Sequence, residues 1–159
     1  VSQLLWAAQG ITSASGKRTA PSAGALHPLE IHLVAVHVED LPRGRYDYDP
    51  VNHALTRRSV EDRRRELAAA AHHQDCVRNA AAVLVIAAVF ERTTGKYGER
   101  GVRYVHMEAG HAAQNVYLQA TVLGIGAALV GSFDDGAVKR VLELPEEEEA
   151  LGLLALGAL

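Results

Sequence analysis

The chain has 159 residues and a mass of 17.0 kDa, enough for one domain, which at this length buries roughly 70% of its unfolded surface. Hydrophobic residues make up 48% and charged residues 22%, the balance of a globular chain and not of a disordered one. With 16 basic and 19 acidic residues the net charge is −3, which argues against a nucleic-acid or anionic-membrane partner, and the lone Cys76 excludes an internal disulfide and a thiolate zinc cage.

Val1 is followed at once by an amphipathic segment, so no signal peptide is expected. The longest apolar run, Ala80 to Phe90, is about half of what a bilayer span requires, and the chain reads as cytoplasmic. Ser2 is placed to cap a short helix carrying Leu4, Leu5 and Ala8 on one face and stopping at Gly10. The Ser-, Gly- and Thr-rich stretch from Thr12 to Thr19 reads as a loop. Ile31 to Val38 is β-branched and apolar, the pattern of a strand buried on both faces. After Pro42 and Gly44 comes an edge strand over Arg45–Asp49, with Ala54 to Arg57 as its return.

A helix is expected to open at Ser59, with Asp62 in a capping box, and to run through Arg65, Leu67 and Ala71. Ala81 to Phe90 is the strongest strand signal and should be central. A charged loop, Glu91 to Arg100, precedes the longest helix, Val102 to Leu123, whose apolar residues run nearly all round it. That places it in the middle of the protein or across a subunit interface. Ala127 to Val130 reads as a short strand, Asp134 as the cap of a helix holding Val138, Val141 and Leu142, and Leu151 to Leu156 as the last strand. One hairpin within a mixed order of helices and strands indicates an α+β fold.

The eight histidines do not form a metal motif: His32 and His37 fall on opposite strand faces, and His106 and His111 are not one helical turn apart. They read as scattered structural or surface residues. Gly124-Ile-Gly126 follows a helix and precedes a strand, the reverse of a dinucleotide fingerprint. Arg63 to Arg65 and Glu146 to Glu149 read as solvated charge. Two segments carry more. In Arg18–Pro28, Pro21 and Pro28 bracket small residues that let backbone lie against a flat ligand, and Ser22 offers a hydroxyl; a plain loop reads equally well. Gly131-Ser-Phe-Asp-Asp135 joins a strand to a capped helix, where free N–H groups can donate to a ligand. Glu108, His111 and Asn115 form one polar stripe on the long helix, expected to bond among themselves or across an interface in a structural role.

Together these segments resemble a known family. Leu4–Thr12, Arg18–Glu30, Lys96-Tyr-Gly with Gly101-Val-Arg-Tyr104, Glu108–Asn115 and Val130–Asp135 are similar, in order, to the SagB/ThcOx-type branch of the nitroreductase superfamily. The resemblance implies an α+β mixed sheet flanked by helices, in a homodimer with FMN in a pocket at the subunit interface. It implies that Pro21, Ser22, Ala23 and Gly24 lie against the flavin, that Gln74 sits near its pyrimidine edge, and that the Gly131 and Ser132 backbone reaches N5. Peptide-acting members oxidise thiazolines and oxazolines to thiazoles and oxazoles, with a Lys-Tyr pair in the chemistry; Lys96 and Tyr97 stand at that place.

Members also carry basic residues before the first helix and after the last strand, directed at the FMN phosphate. Neither is present here, so the single domain reads as truncated at both ends or as a shortened member binding flavin loosely, with Arg18 as the one nearby cation to compensate. The resemblance thus implies an FMN-dependent azoline dehydrogenase, with an NAD(P)H-dependent nitro or quinone reductase and a non-catalytic scaffold in a peptide-modifying complex as rival readings. Its substrate would be a small molecule or a peptide.

Overall fold

A strand that is apolar on both faces must be covered on both, and β4 (Ala82–Ala88) is buried at every position. The described residues are 1–158 of a computed structural model. Before β4 come α1 (Ser2–Gln9), β1 (Leu29–Ala35), β2 (Gly44–Asp49), β3 (Ala54–Ser59), α2 (Arg64–Ala70) and α3 (Asp75–Asn79). After it come α4 (Glu91–Tyr97), α5 (Arg100–Val122), β5 (Ile125–Val130), α6 (Asp135–Leu142) and β6 (Glu149–Ala158). The strands form one six-stranded sheet in the order β3-β2-β1-β4-β6-β5. The α+β class is as expected. The sheet, however, is antiparallel at every pairing and not mixed, because β6 inserts between β4 and β5 and runs against both.

Alternation along β4 divides the core in two. Ala82, Leu84, Ile86 and Ala88 join a cluster with Leu4, Leu5 and Ala8 of α1 and Val105, Ala112, Val116 and Ala120 of α5. Val83, Val85 and Ala87 pack on the other side with Leu67 of α2, Val77 of α3, and Val138 and Leu142 of α6. On α5 the inward residues recur every three or four positions, and three of them are alanines that let the helix lie close to α1. Its other side is open: Val102, Met107, Leu118 and Val122 are exposed, as is Trp6 of α1. The long helix therefore covers one face of the sheet and does not thread the middle of the chain.

Several boundaries differ from the sequence reading. Ser2 is the first residue of α1 and not its cap; its hydroxyl bonds His53 Nε2 at 2.8 Å. Ser59 ends β3, and α2 starts only at Arg64, whose guanidinium and backbone N–H bond Asp62 and whose Nη1 donates to the Ala80 carbonyl at 2.6 Å. Arg64 is therefore not part of a solvated face. The segment expected as a charged loop holds α4, anchored by buried Thr93. Gly101 allows the two helices to meet, since a Cβ there would lie 2.9 Å from the Thr94 backbone. Asp134 does cap α6, accepting from the Ala137 N–H at 2.6 Å.

Nor is the acidic turn before β6 wholly solvated. His32 of β1 is buried, and its ring is held between Asp47 of β2 (Nδ1–Oδ1, 2.7 Å) and Glu148 (Nε2–Oε2, 2.7 Å). Arg45 and Arg58 complete the set on Asp47 at 2.8 and 2.5 Å. This network ties the sheet to the connection between α6 and β6.

Candidate active site

The backbone after α1 folds back on itself, with Ile11 bridged to Arg18, and then enters a short 3-10 turn at Ala23–Ala25. Gly24, Ala25 and His27 all take left-handed conformations, at φ 62°, 54° and 46°. Two of these are not glycine, which stores strain of about 1–3 kcal/mol each. Such strain persists only where the surroundings enforce it, and here they do. The His27 N–H donates to Ser22 Oγ at 2.9 Å, and Arg92 Nη1 donates to the His27 carbonyl at 3.2 Å.

Lys96 and Tyr97 close over this turn. Glycine suits this position by its φ, and a Cβ there would lie 2.8 Å from Tyr97 Oη and 3.1 Å from Lys96 Nζ, the free ends of two side chains that could move aside. The lysine ammonium lies 5.4 Å from the Tyr97 ring centroid, and the Tyr97 ring meets Tyr104 edge-to-face at 5.2 Å. Both arrangements follow from the break between α4 and α5 at Gly98, which sets Tyr97 and Tyr104 on adjoining helices. The ends of Lys96 and Tyr97 thus both reach the Gly24 turn, with Lys96 exposed and Tyr97 half-buried.

Beneath the turn lies Glu108 of α5, 2% exposed. Its Oε1 has no partner, and within the one chain it makes no bond to His111 or Asn115, so the polar stripe is not tied together inside a single subunit. Burial raises its pKa to about 7, against the opposing pull of Ser22 and the charge of Arg18. Arg18 is half-buried and turned inward, with Nη1 donating to Gln9 Oε1 at 2.7 Å, so it does not stand free at the surface for a phosphate. Burial also lowers the His27 pKa, and Arg18 adds to that effect.

The remaining expected residues lie on other elements. Gly131 and Ser132 follow β5, and the Asp134 N–H donates to the Ala70 carbonyl at 2.8 Å, tying this loop to the end of α2. Gln74 stands four residues beyond α2, exposed at the start of α3, in the layer on the opposite sheet face from α1 and α5. Gly131 opens on a cavity of about 470 Å³ lined by Phe90, Val102, His106, Phe133 and Leu151. One chain therefore assembles Arg18, Ser22, Gly24, Lys96 and Tyr97 in one group, next to Pro21 and Ala23. Gln74 stands at the start of α3, and Gly131 and Ser132 follow β5. Among the described residues no cluster of histidine, cysteine, aspartate and glutamate has metal-binding geometry, and no helix is long and apolar enough to cross a membrane.

The antiparallel sheet covered by helices, with a long helix on one face, is a nitroreductase-like fold. The chain belongs to the nitroreductase family, whose profile matches residues 1–158, and it is an oxidoreductase of that family. It is 48% identical over 146 residues to a Methanocaldococcus jannaschii protein named as a nitroreductase, covering 92% of this chain and 74% of that one. It is 28% identical over 151 residues to the microcin B17-processing protein McbC of Escherichia coli, covering 86% of this chain and 52% of McbC. Among solved structures, one named as a nitroreductase from Anabaena variabilis superposes with a TM-score of 0.89 at 29% identity, over 98% of this chain and 34% of that one. The E. coli microcin synthetase McbBCD complex with truncated pro-MccB17 bound gives 0.82 at 25% identity, over 99% of this chain and 62% of that one. The chain thus spans about a third of the Anabaena protein and about half of McbC.

Proposed function

We propose that the chain acts as an FMN-dependent dehydrogenase of a peptide-borne thiazoline or oxazoline. The observation that carries this reading is the convergence of Lys96 and Tyr97 on Gly24. The likeness to a microcin-processing protein supports the substrate class. When bound, a flavin supplies the two-electron acceptor for such an oxidation. The residues fit a flat group: the Pro21–Gly24 turn presents backbone and small side chains, and Gly131 is open, with nothing within 4 Å of an added Cβ.

The chain's own part is to manage the proton. A proton must leave substrate carbon, and Tyr97 is the acceptor. Lys96 Nζ, 5.4 Å from the Tyr97 ring centroid, places a positive charge beside it. A homodimer packed along the exposed side of α5 would let one subunit's Ser22, Lys96 and Tyr97 form a pocket with the other's Gly131 and Ser132.

The test is Tyr97→Phe and Lys96→Ala. Each should keep melting temperature and flavin content while turnover of an azoline peptide falls about 10²–10⁴-fold. Unchanged turnover in both would refute the assignment. The 48% identity to a protein named as a nitroreductase favours a second reading, an NAD(P)H-dependent nitro or quinone reductase. Turnover with NAD(P)H and a nitroaromatic, but none with an azoline peptide, would select it.

A further inference from the structure

Two segments far apart in the sequence meet beside α1. The hairpin turn between β2 and β3 is set by Asp49, whose carboxylate accepts from the Val51 N–H at 2.8 Å and from the Asn52 side-chain amide at 2.6 Å. The turn ends on His53, a non-glycine residue in the left-handed region at φ 48°. Its ring lies edge-on to Tyr48, with centroids 5.6 Å apart, and both ring nitrogens are engaged: Nδ1 with Tyr48 Oη at 2.8 Å and Nε2 with Ser2 Oγ at 2.8 Å.

Proton count fixes the direction of this chain of bonds. Tyr48 is 5% exposed, and His53 Nδ1 is the one hydrogen-bond partner of its hydroxyl among the described residues. The phenol proton therefore goes to Nδ1. A neutral imidazole that accepts at Nδ1 carries its own proton on Nε2, so His53 donates to Ser2 Oγ. Ser2 keeps its hydroxyl proton, which has no acceptor among the described residues and is free for water or a ligand. A hydroxyl whose oxygen already accepts a bond is a stronger donor for it, so the sequence Tyr48 to His53 to Ser2 ends in a polarised O–H.

That hydroxyl stands on the wall of a cavity of about 370 Å³ between α1, the β1–β2 connection and the β2–β3 hairpin. Small-ligand pockets occupy roughly 300–1,000 Å³ and combine apolar walls with a few convergent polar groups. Here Leu5, Val38, Leu41 and Leu55 supply the apolar walls, and Ser2, Tyr48 and His53 form the polar side. Glu39, the one carboxylate of the lining, disfavours an anion.

We propose that this cavity binds a neutral small molecule with an apolar body and a carbonyl group, the carbonyl accepting the Ser2 proton while the body fills the space among the four aliphatic side chains. The site shares no residue with the candidate active site and stands apart from the flavin reading.

The experiment takes benzylacetone as the probe and hydrocinnamate, its carboxylate analogue of similar shape, as the control, followed by two-dimensional NMR of the backbone amides and histidine rings. Wild type should show His53 with its proton on Nε2, and benzylacetone should shift the Leu5, Val38, Leu41 and Leu55 amides saturably. Hydrocinnamate should bind more weakly. Ser2→Ala removes one neutral hydrogen bond and should raise the benzylacetone dissociation constant about two- to tenfold with the amide spectrum otherwise unchanged. Tyr48→Phe keeps the cavity and should free His53 to exchange between its two tautomers, with a similar loss of affinity.

A wild-type His53 carrying its proton on Nδ1 would overturn the relay and the proposal with it. So would the lack of a saturable shift with benzylacetone, shifts confined to another part of the molecule, hydrocinnamate binding as tightly as the ketone, or equal affinity in wild type and Ser2→Ala. Should Tyr48→Phe fold poorly, the wild-type tautomer and the Ser2→Ala titration decide.

Discussion

Replacing His32 by leucine tests the buried charge network most directly. The imidazole touches Asp47 and Glu148 at 2.7 Å each, and Glu148 has no other cationic partner within salt-bridge distance, whereas Asp47 keeps Arg45 and Arg58. His32→Leu therefore strands Glu148, 8% exposed, without a donor. Removing one partner of a buried ion pair costs about 3–5 kcal/mol, against about 0–1 kcal/mol for a surface pair. In a chain of 150–250 residues each kcal/mol shifts the midpoint by roughly 2–4 °C, so His32→Leu should lower the melting temperature by about 6–20 °C. His32→Leu with Glu148→Leu should recover most of the loss, because the orphaned charge has gone.

The pH arm has a definite sign. Burial alone would lower the His32 pKa, but the hydrogen bonds and charges of Asp47 and Glu148 outweigh it and the net shift is upward from 6.5. The folded state then holds the proton more tightly than the unfolded one. This stabilisation is complete below pH 6.5 and is lost as pH rises through the elevated folded value. Asp47 runs the other way. Burial would raise it, but His32 and Arg58 hold it down at about 2, so its share is present above 3.8 and is lost as pH falls through about 2. Melting curves of wild type and His32→Leu should therefore diverge most between these limits and converge on the alkaline side. A melting temperature for His32→Leu within about 2 °C of wild type at mildly acidic pH would refute the reasoning.

Gly24→Ala should weaken flavin binding and turnover by more than it lowers the melting temperature, because the new methyl group meets Tyr97 Oη at 2.8 Å while the turn itself is exposed; equal turnover in the two proteins would contradict the packing described. Leu118→Glu places a charge on the open side of α5, where Leu118 is 59% exposed in the single chain. Sedimentation should show wild type at about twice the chain mass and Leu118→Glu as a monomer of nearly unchanged helix content. A wild-type monomer would remove the two-subunit site.

Local pattern alone was enough for β4, for the hairpin of β2 and β3, for the existence of α5 and for the Asp134 cap of α6, whereas the one-sided burial of α5 was not legible in it. Each rests on hydrophobic period, a turn residue or a cap within a few positions of itself. The motifs of the site were legible in the same way, as runs of residues. What those runs touch was not. α4 carries Thr93, Thr94 and Gly95, a weak helical sequence, and is held by packing on α5, which only the assembled core supplies. His32 meets Glu148 across 116 positions because β1 lies one strand from β4 and β4 lies beside β6, an order that no local period encodes. Lys96 and Tyr97 reach Gly24 for the same reason. Side-chain periodicity sets which face of an element is buried, whereas the identity of the partner on that face depends on how the sheet and the two helical layers close around each other.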